Sequence, residues 1–246
     1  MGLGKMESFL GGHIEGFFNK KFGSDLEPAE LMKGLEQELV KRGKNRAGAS
    51  VPNVYVFTLS SEDYQRLCSQ RIYDALITHL EKQVILQDVE MDGELTIRMG
   101  RKKSLTRGVF ELTSTYQADE DGEENTEPHT LVLKRSHLDP HRPLNLPTEH
   151  RFASLTVVEG PDRDAYLEFG EKQIYIGRRD KNEFILTDAN ASRLHAWISY
   201  ERHRHILHDA QSTNGTFVNG ERVTEMLLQP GDEIQIGASV LCYEVI

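Results

Sequence analysis

The sequence is poor in cysteine and contains no long hydrophobic run. Only Cys68 and Cys242 occur in 246 residues, and no cysteine–histidine spacing typical of a zinc site is present. We therefore expect no disulfide framework and no bound metal, and we predict a reducing, cytoplasmic setting. No stretch approaches the roughly 18 consecutive apolar residues that a transmembrane helix needs. Membrane insertion is not expected.

The chain also lacks a positive net charge. It has 29 Lys and Arg residues against 39 Asp and Glu residues, which gives a net charge of −10. Binding to nucleic acid or to an anionic membrane needs a positive face, so no nucleic-acid partner is expected. The excess of acid lies in residues 117–151, with 4 basic and 8 acidic residues, and in residues 152–246, with 9 and 15. An acidic domain that binds phosphate must do so with a few well-placed side chains.

The length suggests two domains, and the first half has mixed helix and strand patterns. Apolar spacing predicts a helix over residues 6–20 and another from Pro28 to about Gly43. After a strand at residues 54–59, Ser60 or Ser61 is placed to cap a helix that runs to about Lys82. Strands are then predicted at residues 84–89, 95–99 and 109–116. Together these elements indicate an α+β domain over residues 1–116.

The remainder divides into a linker and an all-β domain. Residues 117–128 are acidic and have no large apolar side chains, so we expect the linker over residues 117–151 to be disordered at its start. Residues 130–133 can form a short strand. From residue 152 to residue 246, short strands alternate with turn signals, a pattern typical of a β-sandwich. The predicted fold class is therefore multi-domain, an α+β domain followed by an all-β sandwich.

Residues 177–220 contain side chains suited to holding a phosphate group. Arg178 follows a short apolar strand and offers five N–H donors in a rigid fork. Ser192 and Thr213 carry short hydroxyl groups that can donate from turns. Arg193 is suited either to a phosphate contact or to an ion pair within its loop. Asn214 has the side chain needed to hydrogen-bond the main chain of an extended peptide.

These residues stand in an ordered, multi-part pattern. Gly177-Arg178 is followed by Ser192-Arg193-Leu194-His195, then by Ser212-Thr213-Asn214-Gly215-Thr216, Val218-Asn219-Gly220 and Gly231-Asp232-Glu233-Ile234. The pattern closely resembles the signature of the forkhead-associated (FHA) domain. The resemblance implies a β-sandwich whose loops at one end bind a phosphothreonine peptide, and it carries no catalytic activity or cofactor. The phosphothreonine-binding residues implied are Arg178, Ser192, Arg193, Thr213 and Asn214.

The resemblance also assigns roles to neighbouring residues. Asn190, in the loop before Ser192, is expected to read the peptide residue three positions after the phosphothreonine. His195 is tempting as a catalytic base, but the family implies that it braces the loops. Gly177 and Gly215 are expected to be structural, and Asn219-Gly220 is predicted to be a hairpin turn.

Two further segments, one rich in histidine and one basic, are interpreted as structural and not as binding sites. The segment 202–208 contains three histidines, but no cysteine or carboxylate completes a metal site within the motif, so we predict a solvated edge strand. The basic run 101–103, with Arg98 and Arg107 nearby, is predicted to be a solvated turn. A docking patch for an acidic protein, lipid or RNA is the alternative for this run.

The N-terminal half resembles the uncharacterised domain found in front of certain bacterial FHA domains. The resemblance rests on residues 14–18, 26–31, 51–55 and 59–64. It implies an adaptor of bacterial Ser/Thr kinase signalling, with links to envelope or division control. The implied partners are a phosphothreonine-containing kinase or kinase substrate, and a second protein through the N-terminal domain. The alternatives are a phosphorylation-independent scaffold, or nucleic-acid or membrane-surface binding through the N-terminal domain.

One threonine of the linker is a possible phosphorylation site. Thr126 lies among acidic residues about 26 positions before Phe152, within a coil reach of roughly 28 Å. A phosphorylated Thr126 could occupy the chain's own FHA site and exclude other ligands. An inert linker is the alternative.

Overall fold

The fold is taken from a computed structural model that describes residues 25–43, 50–117, 131–133 and 149–246. The predicted helix over residues 6–20, Thr126 and most of the linker lie outside the described residues. The chain forms two compact units. The first comprises residues 1–38, 52–76 and 93–138, and the second comprises residues 39–51, 77–92 and 139–246. Because neither unit is one continuous segment, the domain boundaries at residues 116 and 152 stay a prediction.

Three helices and seventeen strands occur in the described residues. The helices are α1 (Pro28–Gly43), α2 (Ser61–Leu67) and α3 (Gln70–Leu86). The strands before the linker are β1 (Ser50–Val51), β2 (Val54–Leu59), β3 (Glu90–Met91), β4 (Thr96–Arg101) and β5 (Phe110–Thr115), and β6 (Leu131–Leu133) falls within it. The later strands are β7 (Ala153–Glu159), β8 (Tyr166–Phe169), β9 (Ile174–Gly177), β10 (Phe184–Ile185), β11 (Ala196–Glu201), β12 (Arg204–Asp209), β13 (Thr216–Val218), β14 (Glu221–Val223), β15 (Glu225–Leu227), β16 (Glu233–Ile236) and β17 (Ser239–Val245).

The first unit is built on a four-stranded sheet with the order β5-β2-β4-β6. Strand β2 runs parallel to β4 and antiparallel to β5, and its Tyr55 and Phe57 are fully buried. Phe57 packs on Phe110 with ring centroids 5.7 Å apart. Gly34 of α1 lies against the Phe110 ring, where a Cβ atom would come within 2.9 Å. The glycine therefore lets the helix approach the sheet closely.

Helix α2 begins where the sequence predicted it. The Ser60 Oγ accepts a hydrogen bond from the Asp63 N–H at 3.1 Å, as an N-cap residue does. Asp63 is fully buried, and its carboxylate also accepts the Gly108 N–H at 2.8 Å and bonds Arg66 at 3.1 Å. Burial on its own would raise the pKa of Asp63, but these hydrogen bonds and the Arg66 charge hold it below the usual value.

Two of the sequence predictions for this region are wrong. The helix predicted from Ser60 to Lys82 is interrupted at Cys68, whose non-helical backbone ends α2 before α3 begins at Gln70. The strand predicted at residues 84–89 is the last turn of α3 and a following turn. Val84 and Ile85 are buried because they continue the apolar stripe of that helix, and this packing overrides their preference for strands.

The second unit contains a β-sandwich of two sheets. One sheet has the order β10-β9-β11-β12-β15, and the other has the order β14-β13-β16-β17-β7-β8. The first long strand, β7, pairs antiparallel with the last, β17, over Ala153↔Val245 to Glu159↔Val240. Buried apolar side chains of both sheets form one core. The predicted fold class, an α+β region followed by a β-sandwich, is confirmed.

The last ten residues of α3 belong to the same unit as the sandwich. Ile85 is 1% exposed and packs in the sandwich core. Oε2 of the buried Glu81 side chain accepts a hydrogen bond from the Tyr200 hydroxyl at 2.5 Å and lies 2.8 Å from His203 Nδ1. The segment before the sandwich therefore supplies both an apolar residue and a buried polar side chain to this unit.

The predicted solvated edge strand at residues 202–208 is also wrong. Strand β12 pairs on both sides, with β11 and β15. Arg204 is 2% exposed and bonds Asp88 at 2.7 Å. His205 is 1% exposed and packs among aromatic rings, including those of Phe152 and Phe169. The segment is polar because its polar side chains have partners within the unit, an arrangement that local sequence does not reveal.

The basic segment at residues 101–107 is a turn exposed to solvent, as predicted. Lys102 bonds Glu111 at 2.8 Å, and Arg107 forms ion pairs with Asp25 and Glu62. These carboxylates neutralise much of the local positive charge. Strand β6 pairs antiparallel with β4, in agreement with the strand predicted at residues 130–133. No helix within the described ranges is long and apolar enough to cross a membrane.

Candidate functional site

Three loops of the second unit meet at one cleft of about 500 Å³. The β9–β10 loop spans residues 178–183, the β10–β11 loop spans residues 186–195, and the β12–β13 loop spans residues 210–215. The residues lining the cleft are Arg178, Arg179, Ala189, Asn190, Ala191, Ser192, Arg193, Leu194, Thr213 and Asn214. All five predicted phosphothreonine-binding residues and the predicted reader Asn190 are therefore brought together. Their roles as ligand contacts stay predictions.

Gly177 sets the spacing between the first two loops. Its φ angle is +149°, and a Cβ atom there would lie 2.7 Å from the Ser192 carbonyl oxygen and 2.8 Å from the His195 nitrogen. Both atoms belong to the backbone and cannot rotate away. Only glycine lets the end of β9 pass this close to the β10–β11 loop.

Two backbone hydrogen bonds join the β9–β10 loop to the β10–β11 loop. The Arg178 N–H donates to the Ser192 carbonyl at 3.0 Å, and the Arg179 N–H donates to the Arg193 carbonyl at 3.0 Å. The Asn182 side chain also donates to the Arg193 carbonyl, at 2.9 Å. The chain bends after Gly177, and both consecutive arginines line the cleft.

The hydroxyl group of Ser192 connects the second loop to the third. Its oxygen accepts the Thr213 N–H at 3.1 Å, while its distance to the Thr213 hydroxyl is 3.5 Å, the limit of a hydrogen bond. The hydroxyl proton of Ser192 therefore makes at most a weak hydrogen bond within the protein. Ser192 and Thr213 hold each other in place and present hydroxyl donors to the cleft.

His195 lies beneath the loops and does not line the cleft. It is fully buried, its Nδ1 atom accepts the Ser192 N–H at 2.9 Å, and its Nε2 atom lies 3.1 Å from the Gly215 carbonyl. A backbone N–H can only donate, so Nδ1 is unprotonated and Nε2–H donates to Gly215. Burial lowers the pKa of His195, which favours this neutral form. With both nitrogens engaged by the backbone, the ring acts as a brace.

Asn214 and Asn190 stand opposite each other across the cleft. The Asn214 side-chain N–H donates to the Asn190 carbonyl at 2.8 Å, which leaves the Asn214 Oδ1 oxygen to accept a hydrogen bond from a ligand. The Asn190 backbone is itself held by Asp188, whose Oδ1 accepts its N–H at 2.8 Å. The predicted peptide contact of Asn214 is therefore available through its oxygen.

Two carboxylates, those of the buried Asp188 and the half-buried Asp209, hold the loops and were missed as site residues. Asp188 Oδ2 also accepts the Ala238 N–H at 2.6 Å, and Asp209 accepts the Ser212 hydroxyl at 2.5 Å and the Thr216 hydroxyl at 2.7 Å. Burial on its own would raise the pKa of either carboxyl, but hydrogen bonds hold each below the usual value. An Asp followed two or three residues later by a loop Asn or Ser is the signal that could have indicated them.

The predicted hairpin at Asn219-Gly220 lies outside the cleft lining. Strands β13 and β14 are joined by these two residues, with φ angles of +50° and +85°, as expected for the predicted type of hairpin turn. Asp232 accepts the Asn219 side-chain N–H at 2.8 Å and the Gln229 N–H at 2.7 Å. Gly215 has a φ angle of +83° and lies against the Arg222 guanidinium. Asp232 therefore holds the Asn219-Gly220 turn, whereas Gly215 is part of the β12–β13 loop.

The cleft is positive although the chain is acidic. Arg178, Arg179 and Arg193 are exposed and line it together, and no carboxylate side chain lines it with them. Within the part of the chain that the structure describes, no group of three His, Cys, Asp or Glu side chains is placed to hold a metal ion. The arrangement offers guanidinium, hydroxyl and amide groups to an anion on an extended peptide.

Both parts of the chain match models of known protein families. Residues 3–113 match the family model "FhaA, N-terminal domain", and residues 174–237 match the model "FHA domain". An oxoglutarate dehydrogenase inhibitor of Corynebacterium efficiens is 37% identical over 85 residues, which are 35% of this chain and 60% of that protein. The FHA domain-containing protein FhaB of Mycobacterium tuberculosis is 33% identical over 93 residues, 37% of this chain and 60% of FhaB. The chain thus spans about 60% of the length of these curated relatives.

The sandwich also resembles solved structures. An FHA domain solved in work on phosphothreonine-dependent FHA domain interactions is 33% identical, with 38% of this chain and 95% of that chain covered and a TM-score of 0.35. Both family models match in the order that the sequence predicted, the FhaA-type domain first. The chain therefore belongs to the FHA-domain proteins that carry an FhaA-type N-terminal domain.

Proposed function

We propose that the chain is a phosphothreonine-binding adaptor of bacterial Ser/Thr kinase signalling. The observation that carries the proposal is that Arg178, Ser192 and Thr213 line one cleft of an FHA domain. None of the three side chains donates a hydrogen bond to a carboxylate of the described residues. Charge-assisted hydrogen bonds contribute about 1.5–3 kcal/mol each. A few of them are enough to distinguish a phosphorylated peptide from its unphosphorylated form.

The remaining site residues have supporting roles in this proposal. Arg193 adds a further guanidinium, the Asn214 oxygen accepts a main-chain N–H of the peptide, and Asn190 reads the residue three positions after the phosphothreonine. Asn190 suits this role because its loop position is fixed by Asp188 on one side and Asn214 on the other.

The proposed partners are a phosphorylated Ser/Thr kinase or a substrate of one, in the cytoplasm, with a second protein bound by the N-terminal domain. A relative named as an oxoglutarate dehydrogenase inhibitor acts on another protein, which supports a role without catalysis of its own. Links to envelope or division control, and capture of a phosphorylated Thr126 by the same site, are part of the hypothesis. Nucleic-acid or membrane binding is the weaker alternative, because Lys102 and Arg107 are already paired with carboxylates.

The test is titration calorimetry of the full chain with three matched peptides. They carry phosphothreonine, phosphoserine or unmodified threonine at one position of the same sequence. We expect micromolar binding of the phosphothreonine peptide, equivalent to about −8 kcal/mol, weaker binding of the phosphoserine peptide and none of the third. Equal binding of the phosphorylated and unmodified peptides would instead indicate a phosphorylation-independent scaffold.

A further inference from the structure

The cleft holds more positive charge than one phosphate group requires. Arg178, Arg179 and Arg193 all line it, all are exposed, and none forms an ion pair within 4.0 Å with a carboxylate of the described residues. Arg179 was not among the residues predicted from the sequence. Only the backbone N–H of Arg179 bonds the neighbouring loop, so its side chain has no part in that contact.

Some other arginines of the same unit are paired with carboxylates, whereas Arg163 and Arg222 form no ion pair with a described carboxylate. Arg202 bonds Glu90 and Asp92 at 2.7 Å, and Arg204 bonds Asp88 at 2.7 Å. The chain has ten more acidic than basic residues, so acidic partners are plentiful. Arg178, Arg179 and Arg193 differ from the isolated arginines because they line one cleft together, which concentrates positive charge where a ligand can bind.

The charge of the ligand follows from the charge of the cleft. A phosphothreonine carries about −1.5 to −2 charges at pH 7, while three guanidinium groups carry +3. A single phosphate group therefore leaves about one positive charge without compensation. Close like charges repel each other, so a ligand with a second negative charge suits the cleft better than a ligand with one.

The groups that line the cleft are of two kinds. Ser192 and Thr213 offer hydroxyl groups, and the Ser192 oxygen accepts the Thr213 N–H. Arg178, Arg179 and Arg193 offer guanidinium groups, and none of them has a carboxylate partner among the described residues. Arg178, Ser192, Thr213 and Arg193 are already assigned to the phosphothreonine, so Arg179 is the guanidinium that this assignment leaves over.

We propose that Arg179 provides a second anion subsite in the cleft, which makes the preferred ligand a phosphothreonine peptide with a further negative charge near the phosphothreonine. The inference rests on the proposed function and specifies its ligand class. The second charge is either an acidic side chain or a second phosphate, since a guanidinium binds both groups through two parallel hydrogen bonds. Arg179 selects between peptides, whereas Arg178 is required for all of them.

The experiment compares peptides that differ only in this second charge. All carry one phosphothreonine, and a scanned position, within about three residues on either side, holds alanine, aspartate or a second phosphothreonine. An extended peptide advances about 3.3 Å per residue, so this scan covers the reach of the cleft. We expect at least one position where aspartate or phosphothreonine strengthens binding by about fivefold or more, equivalent to ~1 kcal/mol. A gain in affinity with aspartate at the scanned position would show that an acidic side chain is sufficient. A gain with a second phosphothreonine but not with aspartate would show that a second phosphate is needed.

Variants of the full chain assign the gain to Arg179. Arg179→Ala should remove the gain, so that the variant binds the peptides with alanine, aspartate or phosphothreonine at the scanned position with equal affinity. The gain is expressed relative to the alanine-flanked peptide, so that a general loss of affinity in the variant cancels. Arg179→Glu should reverse the preference, so that lysine at the scanned position binds better than aspartate. Arg163→Ala, at an exposed arginine of the β7–β8 turn, is the matched control and should change nothing.

Two results would overturn the inference and they are distinguishable. If the alanine-flanked phosphopeptide binds and no second charge improves its affinity in the wild type, the second subsite is absent while the proposed function stands. The same holds if the gain survives in both Arg179 variants. If no phosphopeptide binds, the proposed function fails and the inference fails with it.

Discussion

The Nδ1 atom of His195 accepts the backbone N–H of Ser192 at 2.9 Å. This contact fixes which ring nitrogen carries the proton, and the other nitrogen then reaches the Gly215 carbonyl at 3.1 Å. One buried ring thus holds a residue of the β10–β11 loop and a residue of the β12–β13 loop at a set separation. The hydroxyl groups of the cleft depend on this separation, although His195 does not line the cleft.

Replacing His195 should weaken ligand binding without removing a ligand contact. In His195→Ala the Ser192 N–H and the Gly215 carbonyl lose their partner, which should lower the free energy of unfolding by about 1–3 kcal/mol. We expect phosphopeptide affinity to fall by about tenfold, equivalent to ~1.4 kcal/mol, measured at a temperature where the variant is folded. His208→Ala, which removes a ring stacked on Trp197, is the control and should leave affinity unchanged. Unchanged affinity in His195→Ala would contradict the bracing role.

Arg178 is expected to contribute most to phosphate recognition. Arg178→Ala removes a guanidinium that has no acidic partner in the described chain, so the loss should fall on binding and not on folding. We expect affinity for the phosphothreonine peptide to fall by at least about 30-fold, equivalent to ~2 kcal/mol, in titration calorimetry. Arg163→Ala changes the net charge equally and serves as the control. An equal loss in both variants would point to a general charge effect.

Stability should decrease as the pH falls from about 6.5 to about 4, because His205 is buried in its neutral form. Its Nε2 atom lies 2.8 Å from the Gly170 carbonyl and its Nδ1 atom 2.8 Å from the Tyr243 hydroxyl. Burial lowers the pKa of His205 to about 4. Between its ordinary pKa and 4, the unfolded state binds a proton that the folded state does not bind, so protonation favours unfolding. Below pH 4 both states are protonated and this effect ends.

The measurement compares the wild type with His205→Gln, which keeps hydrogen-bonding groups but does not titrate. One unit of pKa corresponds to about 1.4 kcal/mol, so the wild type should lose up to about 3 kcal/mol more than the variant over this pH range. Urea unfolding at several pH values gives the free energies. Parallel curves for the two proteins would show that His205 does not cause the loss.

Ile85 should stabilise the sandwich although it precedes the first sandwich strand by more than sixty residues. Ile85→Ala removes a side chain that is 1% exposed in the sandwich core, and buried truncations of this kind cost about 2–5 kcal/mol. Leu86→Ala, at a neighbouring side chain that is 52% exposed, should cost less than about 0.5 kcal/mol. The single tryptophan, Trp197, lies in β11, so its fluorescence reports unfolding of this unit. Equal effects of the two substitutions would mean that Ile85 is not part of the sandwich core.

Much of the fold follows from local sequence. The bounds of α1 and β2, the Ser60 cap and the all-β pattern after residue 152 agree with the structure, because each depends on capping, periodicity or turn residues within a few positions. The errors have a different origin. Val84 and Ile85 are helical, and Arg204 and His205 are buried, because partners distant in sequence cover them. Local patterns carry no information on such partners.

The cleft could be predicted to a similar extent. Glycines and short polar residues at fixed spacing indicate loops, and Arg178, Ser192, Thr213 and Asn214 do line one cleft. Arg179 was not predicted, because it lies one residue beyond the Gly177-Arg178 motif. It lines the cleft where the chain bends after Gly177. A bend of this kind depends on the approach of Ser192 from another loop, which only the folded chain provides.

The split of the second unit along the sequence has a consequence for gene rearrangement. A fusion that carried residues 150–246 alone into another protein would leave a gap in the core at Ile85, and it would leave Arg204 and His203 without Asp88 and Glu81. Such a transplant must bring residues 77–92 with it, or replace the two buried basic residues.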